Sequence, residues 1–101
     1  MPKLYEYFGL FVLFYSDEHE PIHVHGLCHG RECRADIFLE DGRVVRIQFC
    51  AVKGRRPLSR ASMADFRSVV KRRAEDIVGK WVEFFVLHKP VKPERIVRRL
   101  R

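Results

Sequence analysis

The chain has 101 residues, 47% hydrophobic and 12% aromatic, and 20 basic against 13 acidic side chains set its formal charge at +7. That length allows one domain around one modest core, and that composition excludes a disordered tail or a fibrous repeat. The apolar run from Phe8 to Tyr15 is too short to span a bilayer, and Cys28, Cys33 and Cys50, odd in number and without a Cys-x-x-Cys pair, argue against a disulfide framework. The expectation is therefore a single cytoplasmic domain with reduced thiols and no membrane contact. It divides into a mainly β part over 1–52, a helical part over 58–89 and a basic tail or last strand over 90–101.

Phe8 to Tyr15 is apolar on both faces and reads as a central strand covered on both sides. A polar turn from Asp17 to Pro21 follows, and Ile22 to Leu27 then alternates apolar residues with histidines in the period-two pattern of a half-buried strand. His29-Gly30 suits a tight hairpin into a third strand, Arg31 to Leu39. With a two-residue loop there, Ile22 and Val24 face Ile37 and Ala35 in the core, and His23 and His25 take the other face, His25 opposite Arg34. A three-residue loop would instead place both histidines in the core, because a one-residue slip moves every side chain to the opposite face. The first register buries more apolar surface and is preferred.

Glu40-Asp41-Gly42 is the clearest turn. Read as a three-residue loop, it pairs Leu39 with Arg43, Ile37 with Val45, Ala35 with Ile47 and Cys33 with Phe49, and sets Asp36 against Arg46. Gly54 to Pro57 is a basic break. A helix starts near Ser62, with Asp65 in capping-box spacing. Met63, Phe66, Val70, Ala74, Ile77, Trp81 and Phe85 form its amphipathic stripe, and Gly79 marks a place where it can break in two. The fold class expected is α+β: a four- to five-stranded, mainly antiparallel sheet with one long or broken helix packed on one face.

Two features carry chemistry. The first is the histidine cluster. His23 and His25 project from one strand face about 7 Å apart, and His19 comes from the turn before them. With Asp17 they make a candidate site for a divalent transition metal such as zinc or nickel. The same three imidazoles are candidate catalytic acids and bases, as in phosphodiester cleavage. A structural role is the third reading, each ring fixing the turn by hydrogen bonds to carbonyls or carboxylates. Whether the chain is an enzyme stays open at this point.

The second feature is charge asymmetry. Residues 1–52 carry five basic and eight acidic side chains, and residues 53–101 carry fifteen and five, so the halves stand at −3 and +10. Lys53, Arg55, Arg56, Arg60, Arg67, Lys71, Arg72, Arg98 and Arg99 are the candidate contacts for nucleic acid or an acidic protein partner. No helix-turn-helix, zinc finger or RNP signature accompanies them, which argues against a sequence-reading module. Trp81 and Phe85 lie on the apolar stripe and read as core.

Phe8-Gly9 followed by Asp17-Glu18-His19-Glu20-Pro21-Ile22-His23-Val24-His25 resembles the DUF4160 family, with its aspartate–histidine–proline turn and His-x-His strand; the segment from Asp76 to Trp81 resembles the family's tryptophan segment. Where the family commonly has two prolines before the first strand histidine, only Pro21 is present here. The resemblance implies a small prokaryotic α+β domain, carries His19, His23 and His25 over as motif residues, and by analogy suggests a component of a toxin–antitoxin-like two-gene module. The leading expectation is a small binding or regulatory protein whose basic second half contacts nucleic acid or an acidic partner. The alternative is a metal-binding, hydrolytic domain centred on the three histidines.

Overall fold

Alternating apolar and polar residues along the first half form strands that share one buried face, and the helical stripe of the second half closes over that face. A computed structural model describes residues 2–15 and 22–100. In these residues β1 (Lys3–Tyr7), β2 (Leu10–Leu13), β3 (Ile22–Cys28), β4 (Arg31–Glu40) and β5 (Arg43–Ala51) precede α1 (Arg60–Arg72), α2 (Ala74–Phe85) and β6 (Glu94–Ile96). They build a six-stranded sheet in the order β5-β4-β3-β2-β1-β6, antiparallel except where β6 runs parallel to β1. The α+β class stands; the sheet is larger than expected and mixed, and the helix is two helices.

The extra strand comes from the chain start. Phe8-Gly9 is a two-residue turn with both residues at positive φ (48° and 86°), so the apolar run is split between that turn and β2. Its lack of Asn or Asp hides it from a composition reading. The histidine hairpin forms in the two-residue register, with Ile22 opposite Ile37, Val24 opposite Ala35 and His25 opposite Arg34.

The next hairpin differs from expectation. Asp41-Gly42 is also a two-residue loop at positive φ, Glu40 pairs with Arg43, and a bulge that inserts Val45 of β5 opposite the Phe38–Leu39 step of β4 shifts the ladder. Ile37 therefore faces Ile47, Ala35 faces Phe49 and Cys33 faces Ala51. The expected faces hold for Ile47 and Phe49, where the net offset is two residues and parity is kept, but not for Val45, which is exposed while Val44 packs on the core in its place. Asp36 consequently lies opposite Gln48 and not Arg46, which pairs with Phe38.

The core holds Tyr5, Tyr7, Val12, Phe14, Val24 and Ile37 from the sheet against Phe66, Val69, Val70, Ile77 and Trp81 from the helices. The predicted helical stripe is the buried one. α1 starts earlier than predicted: Ser59 is its N-cap, and its hydroxyl accepts from the Ser62 amide. The break falls at Arg73, not at Gly79, which sits inside α2. Arg73 leaves helical geometry (φ −113°, ψ 15°), and its guanidinium lies 3.3 Å from Glu94, tying the bend to β6. Gly26 on β3 gives Phe66 its place: a Cβ there would sit 2.7 Å from the ring.

Candidate functional site

On β3 the strand alternation sends Ile22, Val24 and Gly26 to the helices and His23 and His25 to the opposite, helix-free face. There they meet the charged residues of β4, where Glu32, Arg34 and Asp36 occupy every second position. Glu32 is the hub. Its Oε2 accepts from the Tyr15 hydroxyl at 2.9 Å and lies 2.9 Å from His25 Nδ1, and its Oε1 is 3.3 Å from Arg55 Nε. Arg55 also donates to the Gly30 carbonyl at 3.3 Å. The His25 ring is packed edge-on by Tyr15 at 4.3 Å and by His23 at 5.4 Å.

This network is buried: His25 is 6% exposed and Glu32 2%. A carboxylate in such a place needs paired charge and donors, and it has a hydroxyl, an imidazole and a guanidinium. A second pair lies beside it, with Arg34 Nε 3.0 Å from Asp36 Oδ1. Burial works to lower the pKa of Arg34, but the charges of Asp36 and the facing Cys50 overcome it and hold the guanidinium above its ordinary value.

His23 and His25 are thus brought together, and His25 is joined to Glu32, Tyr15 and Arg55. His19 and Asp17, the other members of the expected metal set, lie outside the described residues. Among the described residues no group of three or more His, Cys, Asp or Glu side chains is arranged to hold a metal ion. A carboxylate on Nδ1 fixes an imidazole's tautomer and aims its other nitrogen, the arrangement found behind metal ligands and proton-transfer histidines alike. Glu32 and Tyr15 were absent from the sequence-derived set. The period-two charges Glu32, Arg34 and Asp36 were the signal, since three ionisable residues on one strand face need partners there.

The same carboxylate fixes the basic loop. Arg55 anchors its side chain on Glu32, the Glu32 amide donates to the Arg56 carbonyl at 2.9 Å, and the Leu58 amide reaches Cys33 Sγ at 3.4 Å. The exposed residues Lys53 and Arg56 are therefore held in place at the approach to α1. From α1, Arg60, Arg67 and Lys71 project at seven- and four-residue steps, with Arg72 beside them, all exposed. Arg67 lies over the Phe49 ring of β5, 5.0 Å from its centre.

The remaining members of the basic set lie elsewhere. Arg99 pairs with Asp65 at 3.3 Å and lies over the rings of Tyr7 and Phe8. Arg98 is exposed near the chain's end, away from α1 in sequence. All three cysteines are free thiols, Cys28 and Cys33 buried and Cys50 partly so. No described helix is long and apolar enough to cross a membrane.

Residues 9–82 match the model of a domain of unknown function, DUF4160. The chain belongs to that family. The DUF4160 match takes in β2 to β5, the histidine network, the basic loop, α1 and most of α2, and it stops short of β6 and the basic tail. No curated protein and no solved structure is matched by the chain.

Proposed function

We propose that this protein is a small nucleic-acid-binding domain that holds phosphates between the loop over residues 52–59 and the exposed side of α1. The observation that carries the reading is the local charge of α1. Four basic residues, Arg60, Arg67, Lys71 and Arg72, stand against Asp65 alone, a net +3, and Asp65 is already paired with Arg99. In α2 the balance reverses, with Glu75, Asp76 and Glu83 against Lys80, a net −2. α1 and the anchored loop before it, with Lys53, Arg55 and Arg56, together carry +6, and residues 86–101 carry a further +5, with Arg98 as an outlying contact. Such a surface binds backbone phosphates with little regard to sequence, and its affinity falls steeply with salt.

Fluorescence anisotropy with short single-stranded RNA and duplex DNA across a salt series tests this. Micromolar or tighter binding with a steep slope of log affinity against log salt is expected. The R56E/R60E variant should lose at least tenfold in affinity and reduce the slope by about 0.7–0.9 per lost phosphate contact. Flat traces for the intact protein on both nucleic acids sink the reading.

A second reading has its own observation, the seating of His25 Nδ1 on Glu32. That pairing suits a zinc- or nickel-binding or hydrolytic centre on His19, His23, His25 and Asp17. Calorimetric titration with zinc and with nickel tests it, with H23A and H25A expected to abolish the heat. Heat that survives both substitutions overturns that centre.

A further inference from the structure

We infer that the free edge of β5 is a docking surface for an extended, acidic segment of a partner protein, added to the sheet as a seventh strand. β5 is nine residues long and ends the sheet order; among the described residues nothing pairs with its outer side. Every second residue of such an edge turns its N–H and C=O outward, a template for another strand. The opposite edge is β6, only three residues long.

Natural edges are blunted by short strands, charges or bulges. β5 is blunted at its start, where Arg43, the register shift and Arg46 fall. From Ile47 to Ala51 no charge or proline interrupts it. An added strand would therefore pair along Arg46 to Ala51, and its alternate side chains would meet two different surfaces. On the helix side they meet the half-buried Ile47 and Phe49, with Arg67 above Phe49. On the helix-free side they meet Arg46, whose guanidinium lies 4.3 Å over the Phe38 ring, and Gln48.

Charge selects the occupant. Arg43, Arg46 and Arg67 border the edge, and Lys53 follows it by two residues. A second copy paired antiparallel along the same stretch would face Arg46 with Ala51 and, with no acidic residue in β5, bring these cations no carboxylate. A segment alternating apolar and acidic residues places apolar side chains on Ile47 and Phe49 and carboxylates on Arg46. Main-chain pairing supplies the affinity and the arginines supply the selectivity. The inference does not rest on nucleic-acid binding, because its contacts are the β5 backbone and Arg46.

The probe is a capped synthetic peptide of about nine alternating valine and glutamate residues, the length of β5, with a valine–lysine counterpart. Amide NMR and hydrogen exchange on the full chain should show shifts and new protection at alternate residues from Arg46 to Ala51. The glutamate peptide should bind at least tenfold tighter than the lysine peptide, and R43E/R46E should reverse that preference while retaining a folded spectrum. The R56E/R60E variant should bind the peptide as the parent does, which separates failure here from failure of the phosphate surface. Unchanged β5 amides, equal affinity for both peptides, or protection of β5 that grows with protein concentration alone, the mark of a second copy, each overturn the inference.

Discussion

Glu32 is the residue on which two parts of the molecule depend. Its carboxylate faces Tyr15 and His25 on one oxygen and Arg55 on the other. Removing it takes one acceptor from the buried His25 imidazole and the half-buried Tyr15 hydroxyl, and releases the Arg55 side chain, one anchor of the loop that presents Lys53 and Arg56. E32A should therefore lower the unfolding free energy by roughly 2–4 kcal/mol, discounted for the partial exposure of Arg55, as read from urea denaturation. Y15F removes one donor and leaves the ion pair, so about 1 kcal/mol is expected of it. A loss in E32A no larger than in Y15F would show that the carboxylate is not the hub.

Tyr5 and Asp76 give the molecule a pH signature of known sign. Burial, then the hydrogen bond to Asp76, then the charges of Asp76 and Glu94, raise Tyr5 far above its ordinary 10.0. For Asp76 burial pushes upward, but the Tyr5 hydroxyl and the Lys80 ammonium 3.0 Å away outweigh it and the net shift is downward from 3.8. A raised acid is more neutral in the fold, so the contribution of Tyr5 is complete below pH 10 and lost as pH rises beyond it. The depressed carboxyl of Asp76 contributes fully above about pH 4 and fades as pH falls below that. Melting temperature followed against pH should show both slopes. Y5F should abolish the alkaline one and D76N the acid one; an alkaline slope that persists in Y5F assigns it to another group.

Among the elements, β3 is the one whose every position is used. Its even residues enter the core, its histidines enter the polar network, and Gly26 leaves room for Phe66, whose ring meets Phe49 edge-on at 5.6 Å. G26A should cost about 1–3 kcal/mol by overpacking, since the ring must shift to clear the new methyl group. Equilibrium unfolding checks this, and restored stability in G26A/F66L would confirm the clash as its cause. This strand was legible in the sequence because its faces differ so sharply that one hairpin register buries far more apolar surface than the other. The β4–β5 pairing was legible only in the faces of Ile47 and Phe49, because a two-residue offset keeps parity and neither pattern nor charge penalises it strongly. The turn at Phe8-Gly9 was hidden by the surrounding apolar run, and the bend at Arg73 by the absence of proline or glycine there. Of the network, the histidines could be seen at once, whereas Glu32 and Tyr15 gain their meaning only from the sheet order.

Over the whole molecule the two faces of the sheet divide the work. One is sealed by α1 and α2; the other carries the ionic network that fixes the basic loop. The phosphate surface and the β5 edge adjoin at Arg67, which stands on α1 and lies over Phe49 of β5. A strand added to that edge sets its apolar side chains beside Phe49 and the Arg67 guanidinium above it, which covers Arg67 and withdraws it from phosphate. The two ligands must then compete, and by linkage each weakens the other by the same factor. With the valine–glutamate peptide at saturation, the slope of log nucleic-acid affinity against log salt should fall by about 0.7–0.9, the share of one phosphate contact. In R67Q that contact is already gone, so the peptide should leave the slope unchanged while still binding β5 through its backbone. A slope that drops equally in parent and R67Q would place the competition elsewhere on the basic surface and break the connection between helix and edge.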